Sequence, residues 1–512
     1  MNGQFTLIDF SILFAYLIVL LSMAFYYSSR ETKDMAGYFL AGRKMGWITV
    51  GLSIFATNIS SEHFIGLAGS GATRGLAVGQ FELLAVFILI LLGRFVAPVF
   101  IRSGIMSTPE FLEERFDRRS RKLFSLISII VYIVTKISVS LLAGGFLFQK
   151  MFGLNIYTSA IILVLITGIY SVIGGSYTIM KTHVLQAVLL LLGAVILTVF
   201  GLYHVGGFTG LYQKLDPQYF HIIKPAGDPD FPWTGMLFGA PILAFWYWCT
   251  DQYIVQRLLS ARSIADARKG SIFASLLKIT PIFILVLPGL IAVALFPEIR
   301  GDEAYPTLIA SNILPAGIKG LVVVGLLSAI MSSLASVFNV SAALFTNDYY
   351  KLNHPDVSDV KLVLVGRLMT MGMVIVAILC IPIIKIINSQ VYLSLQNLQG
   401  LFAPPITVVF LFGLMNKKVN ARGAFWTLLL GEILGSAKLL FDNYFADASP
   451  ASLVGSIVNI NFLHFSIFSF AICTIMIFAI SKMFPVPMTV AKLNEIPGEA
   501  EIKATAAGKY PF

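Results

Sequence analysis

Between Ile54 and Gly71 the chain reads IFATNISSEHFIGLAGSG. This lies inside an apolar segment long enough to cross a bilayer, yet it gathers Thr57, Asn58, Ser60, Ser61, Glu62 and His63 in one cluster. Hydrocarbon offers no hydrogen-bond partners, so such a run cannot face acyl chains. It must line an enclosed, hydrated cavity or belong to a helix broken on purpose. Ionisable groups at membrane depth default to function. A broken helix with a site near the bilayer midplane is the mark of a secondary transporter.

The whole chain has this apolar character. Of its 512 residues, 57% are hydrophobic and only 12% charged, and the mean hydropathy is +0.85. A soluble domain carries about 25% charged residues, so this is a polytopic membrane protein in contact with lipid. The net charge of +10 does not mark a nucleic-acid binder, because the basic residues fall in short clusters between apolar spans. Cys249, Cys380 and Cys473 all sit in apolar segments and read as small buried hydrophobes. The opening MNGQFTLIDF lacks the basic region of a cleavable signal, so the first apolar run is expected to be a retained helix.

At roughly 20 apolar residues per crossing, the chain is predicted to be all-α. Thirteen transmembrane helices are expected near 7–27, 46–72, 77–101, 122–148, 156–176, 180–203, 231–257, 272–296, 316–347, 361–386, 389–414, 421–441 and 461–482. Alternate loops hold most of the basic residues, from Arg43 and Lys44 through Arg115–Lys122 to Lys417, Lys418 and Arg422. Positive charge marks the inner side, which predicts a cell-membrane protein with its N-terminus outside and its C-terminus inside. One transmembrane domain is expected over 1–484, with a polar cytoplasmic tail, disordered by composition, over 485–512. Within the domain, helix 7–27 is an extra N-terminal element. Residues 46–203 and 231–414 form two five-helix halves, and 421–482 adds C-terminal helices. Each half opens with a polar-interrupted helix: the first at Ile54–Gly71, the second at FWYWCTDQ, residues 245–252. Five crossings per half give the halves opposite orientations, which is the arithmetic of an inverted repeat.

Several residues carry chemistry. Ser332 and Ser333, in LLSAIMSSLASVFN, read either as a small-residue packing face or as ligands of a hard cation. In the second case, carbonyls freed by a break near Ala56 and Ile59 would complete much of the shell. Glu82 reads as a helix-end carboxylate, an acceptor for substrate hydroxyls or a proton relay. Lys278 is too deep to snorkel and needs a partner or a polar cavity. Gln396 interrupts another span beside Pro404 and Pro405. Lys136 is a further buried charge without an assignment. With His63 and the cluster Trp246, Tyr247 and Trp248, the set offers donors, acceptors and flat apolar rings, which suits a sugar. There is no HExxH, no GxSxG in a suitable context and no metal-ligand cluster, so an enzyme is not expected.

From about Asp34 to Phe484 the chain resembles the sodium/solute symporter family, and within it the sodium–glucose (or galactose) cotransporters. The resemblance rests on FATNISSEHFIGLAGSG, STPEFLEERFDRRSRK, YWCTDQYIVQRLLSA, LLSAIMSSLASVFN, LQGLFAPP and KKVNARGAFW, in register. It implies the leucine-transporter-type fold with a five-plus-five inverted repeat. It also implies Na⁺ bound by the carbonyls of Ala56, Ile59 and Ala329 and the hydroxyls of Ser332 and Ser333. It places a sugar on Glu82, Lys278 and Gln396, with His63 where animal sugar carriers also have His, and Tyr247 closing the inner side of the site. Three positions depart from the pattern. His183 stands where two-sodium members keep an Asp. Ala85 and Ala244 stand where some bacterial relatives place sugar-contacting Ser and Asn. The expected function is Na⁺-coupled import of a hexose such as glucose or galactose by alternating access. The rivals are a symporter for inositol, sialic acid, an amino acid or a carboxylate, and a sugar sensor that binds without coupling.

Overall fold

The computed structural model describes residues 5–30, 34–299, 301–381 and 390–485. The expected tail lies outside the described residues, apart from its first position. Among those described, eleven helices are long and apolar enough to cross a membrane. The two predicted spans missing from that set are the polar-interrupted ones, which the structure divides.

Helix α1 (Leu7–Ser28) starts with a capping box between Thr6 and Asp9. The first broken span follows. Its first piece α2 (Trp47–Asn58) ends where Ile59 adopts φ −73° and ψ 107°, an extended conformation that turns the carbonyl out of the helical direction. The chain then re-enters a wide helical turn over Glu62–Leu67 and continues as α3 (Ala68–Arg74). Gly75, at φ 72° and ψ −150°, turns the corner into α4 (Gln80–Leu91), which runs on to Arg102. That backbone region is essentially glycine-only.

Next come the short α5 (Thr108–Arg115) and the spans α6 (Arg118–Gly145), α7 (Ile156–Ile173) and α8 (Ser176–Val205). The second broken span begins as α9 (Ala240–Phe245), continues through the wide turn Trp246–Thr250, and stops at Asp251, with φ −68° and ψ 118°. It resumes as α10 (Gln252–Leu259), capped by the Asp251 carboxylate on the Tyr253 N–H. The remaining elements are α11 (Ile264–Leu295), the short α12 (Ala304–Ala310), α13 (Ile318–Asn353), α14 (Asp359–Cys380), α15 (Val391–Met415), α16 (Ala421–Tyr444) and α17 (Phe462–Met483). The expected end of the tenth span, at 386, falls outside the described residues.

Burial sorts these helices by neighbour. In α13, 94% of the most apolar window is buried in protein, against 22% for α1 and 28% for α17. So α13 is the axis of the bundle, and α1 and α17 present their apolar surfaces outward, as helices in lipid do. The main packings set α8 against α13, α11 against α2, and α15 against α17. Small residues make these approaches possible. A methyl group at Gly325 of α13 would meet the Leu189 carbonyl of α8 at 2.8 Å. Both breaks therefore lie against α13, at the centre of the molecule.

Candidate functional site

Where α2 stops, its last carbonyls meet α13. The Ser332 hydroxyl lies 2.8 Å from the Ala56 carbonyl and 2.9 Å from that of Ala329. A hydroxyl has one proton, so it donates to one of these at a time. Three oxygens therefore converge on a point that a single hydrogen bond does not exhaust. Ser333 donates to the Thr57 carbonyl at 3.3 Å, and Tyr253 of α10 donates to that same carbonyl at 2.7 Å. Ser332 is fully buried and Ser333 nearly so. The donors are uncharged oxygens, the set a hard monovalent cation takes. The structure thus gathers Ala56, Ala329, Ser332 and Ser333, with Ile59 at the break itself. Thr57 and Tyr253 join them, and neither was expected. They carry no sequence signal, because the Thr57 contact is made by its backbone and Tyr253 lies 80 residues from Ser333.

Behind this point runs a buried polar chain. Thr57 Oγ1 meets Ser336 Oγ at 3.2 Å, and Ser336 Oγ donates to the Ser332 carbonyl at 2.8 Å. His183 Nδ1 lies 2.9 Å from Ser53 Oγ and 3.4 Å from Thr57 Oγ1.

The second half of the site is a cavity on the other side of the break. Its walls include His63, Glu82, Tyr247, Trp248, Lys278 and Gln396, so all six sequence candidates for substrate contact face one space. Lys278 Nζ donates to Glu82 Oε2 and, at 2.7 Å, to Asn58 Oδ1. Asn58 in turn donates to the Tyr247 hydroxyl at 3.0 Å. His63 Nε2 stands 3.8 Å from Glu82 Oε1. Gln396, half-buried, donates to the Tyr392 hydroxyl at 3.2 Å, and Trp248 lies 5.6 Å from the Lys278 ammonium, ring centre to nitrogen. Lys278 is only 1% exposed and Glu82 only 3%, so water does not reach the pair freely. Lys136 now has a place. Its ammonium sits 4.2 Å over the Tyr247 ring and 5.0 Å over Tyr253, which holds a buried cation against aromatic faces. Ala85 and Ala244 line the cavity with methyl groups and offer it no side-chain hydrogen bond.

Sequence reasoning passed over Asn58, Glu62, Phe81, Tyr392 and Gln399, which share these walls. Asn58 and Glu62 sat in the polar cluster that first drew attention. Tyr392 is one helical turn before Gln396, a spacing that puts both on one face.

Glu62, Glu82 and Lys278 are the charged residues among the cavity's walls besides His63, and Lys278 is paired with Glu82. Lys136 lies outside that lining, against the rings of Tyr247 and Tyr253. The cavity therefore presents many polar groups and no unpaired ammonium.

Comparison with known proteins agrees with this geometry. Residues 38–431 match the sodium:solute symporter family. The chain is 36% identical over 522 residues to sodium/glucose cotransporter 4 of Danio rerio, covering 94% of this chain and 79% of that one. It is 35% identical over 529 residues to sodium/glucose cotransporter 2 of Rattus norvegicus and 34% over 528 to sodium/glucose cotransporter 1 of Oryctolagus cuniculus, with the same coverage in each case. Among solved structures it is similar to a Na⁺-coupled sialic acid symporter in a substrate-bound, outward-open state. The TM-score is 0.78 at 23% identity, over 94% of this chain and 98% of that one. A nucleobase-cation-symport-1 family transporter gives a TM-score of 0.55 at 14% identity, over 88% of this chain and 95% of that one. These likenesses show the fold, which is the leucine-transporter type. With two helices broken against α13, a cavity beside the first break, and these matches over most of its length, the chain is a multi-pass membrane protein that belongs to the sodium:solute symporter family.

Proposed function

We propose that this protein is a Na⁺-coupled symporter that imports a neutral hexose, such as glucose or galactose, by alternating access. The observation that carries the choice of cargo is the charged lining of the cavity. Its ammonium, Lys278, is paired with Glu82, so the carboxylate of a sialate or an organic acid would find no free cation among the lining residues. A polyol needs paired donors and acceptors instead. In this reading Glu82 accepts from sugar hydroxyls while Lys278, Asn58, His63 and Gln396 exchange hydrogen bonds with them. Trp248 and Tyr247 cover the apolar ring face. The names of the relatives support both sugar and sodium.

Sodium would take the oxygens of Ala56, Ile59, Ala329, Ser332 and Ser333. The shell is built half from a helix break and half from α13, so binding the ion fixes the position of one against the other. The Lys278–Asn58 contact lies two residues from Ala56, so the ion site and the cavity draw on the same short segment of chain. That adjacency supplies a coupling route. The basic ends of the spans are assigned to the inner side, giving N-out and C-in.

The test is uptake of labelled sugars into proteoliposomes with and without an inward Na⁺ gradient. Accumulation of a neutral hexose only with the gradient is expected. Accumulation of a charged solute in its place would overturn the cargo, and sugar binding without gradient-driven uptake would identify a sensor.

A further inference from the structure

One strong charge in the bundle has no counter-charge. Arg257 of α10 is fully buried. Its Nη1 donates to Ser176 Oγ at 3.1 Å, while its Nε and Nη2 have no hydrogen-bond partner. Among the described residues no carboxylate lies within ion-pair distance of it. The Nε–H and Nη2–H groups form one edge of the planar guanidinium, the two-pronged edge that grips an anion. A guanidinium does not escape by losing its proton. Burying it unpaired costs several kcal/mol. Water would satisfy the N–H groups but not the charge.

A second orphan lies on the helix that holds Arg257. Ser176, which holds Arg257, and His183 are seven residues apart on α8, two turns along one face. His183 is fully buried, and its Nε2 also has no partner. Tyr253, one turn before Arg257 on α10, reaches the Thr57 carbonyl beside the proposed Na⁺ oxygens. The unpaired guanidinium therefore stands on the helix that also touches the cation site.

We propose that the open edge of Arg257 binds a small monovalent inorganic anion, chloride in physiological salt. A halide asks for little more than two parallel N–H donors, where a larger oxyanion would need further ones. The anion cancels the guanidinium charge, so a sodium ion arriving at Ser332 no longer meets an uncompensated neighbour. A unit charge about 10 Å away at an effective dielectric of about 20 changes affinity by roughly tenfold. Replacing chloride with gluconate should raise the Na⁺ concentration for half-maximal uptake by about that factor.

Binding is tested apart from transport. Purified full-length protein is melted at fixed Na⁺ in chloride, bromide or gluconate, and Arg257→Gln is melted alongside. The expected result is a saturable halide stabilisation, on the order of 2 °C, that is lost in the variant. Equal melting of the wild-type protein in all three salts overturns the proposal, as does a halide effect that survives in Arg257→Gln. If the variant does not fold, anomalous scattering from bromide-grown crystals decides. A peak against the Arg257 Nε and Nη2 edge supports the site, and no peak there refutes it. None of these readouts requires that sugar be carried, so failure here leaves the symport reading standing, and the reverse also holds.

Discussion

At the scale of single residues, the two serines of α13 are not equivalent. Ser332 approaches two carbonyls at 2.8 and 2.9 Å, whereas Ser333 reaches one at 3.3 Å. Removing an oxygen from a shell of about five leaves a hard cation undercoordinated. Ser332→Ala should raise the Na⁺ concentration for half-maximal uptake at least about tenfold, and Ser333→Ala should raise it less. The reverse order would show that the ion sits nearer Thr57. In the cavity, Glu82→Ala removes an acceptor and strands the Lys278 ammonium. A hydrogen bond to a charged group is worth about 1.5–3 kcal/mol, so apparent sugar affinity should fall about tenfold or more. Unchanged affinity in a binding assay would take Glu82 out of the sugar site. Glu82→Gln keeps the acceptor but not the charge, so a loss confined to Glu82→Ala would separate the two contributions.

At the scale of elements, the corner at Gly75 decides how α3 meets α4. A methyl group there would stand 2.1 Å from the Tyr219 carbonyl, on a backbone conformation open only to glycine. Gly75→Ala should cost about 2–4 kcal/mol and show as a lower melting temperature. Gly104, at φ 71°, has open space around it, so Gly104→Ala should cost about 1 kcal/mol from backbone strain alone. Equal losses would mean that the Tyr219 loop gives way. Elements of this kind were partly legible in the sequence. The apolar runs located the eleven long helices because a bilayer demands about 20 apolar residues of each, and the runs at Ile54–Gly71 and residues 245–252 betrayed the breaks because lipid cannot satisfy them. What could not be read was pairing across long separations. Lys278 finds Asn58 at a distance of 220 residues in sequence, and Lys136 settles on the ring of Tyr247. Periodicity says which face a residue occupies, but not what will stand opposite it. The role of Tyr253 was hidden for the same reason.

At the scale of the whole molecule, the basic side is strapped. Arg121 of α6 joins Asp348 at 2.6 Å and Glu113 at 2.6 Å, and Arg115 of α5 donates to the carbonyls of Gly413 at 2.9 Å and Asn416 at 2.8 Å. Thr108 N–H donates to Gln252 of α10 at 2.8 Å. The α5 segment thus ties together the ends of α10, α13 and α15 on the side proposed to face inward, and an inward-open state must release them. Asp348→Asn removes the buried one of Arg121's two carboxylate partners and leaves it Glu113, so the loss should stay below the about 3–5 kcal/mol of a buried pair broken outright. Amide hydrogen exchange over residues 106–116 should rise clearly. Unaltered protection would mean that the backbone contacts of Arg115 suffice. The transport ratio also belongs to this scale. Fully buried His183 contacts Ser53 and Thr57 through one nitrogen and offers no anionic oxygen, so one Na⁺ per sugar is expected. At 100 mV each charge carried inward adds about 2.3 kcal/mol of driving force, so the ratio sets how far sugar is concentrated. Reversal-potential measurements give it directly, and a value near two would restore a second ion.

The placement of Trp248 has an optical consequence. Of the five tryptophans in the chain, only Trp246 and Trp248 are buried. Trp248 alone has the Lys278 ammonium near its ring, and it lies edge-on to Tyr247. A solute that draws Lys278 away changes the electric field across that indole and with it the colour and yield of its emission. The protein should therefore signal its own occupancy through intrinsic fluorescence, without any added label. Trp248→Phe should silence most of that signal, while Trp426→Phe, on the exposed face of α16, should leave it intact.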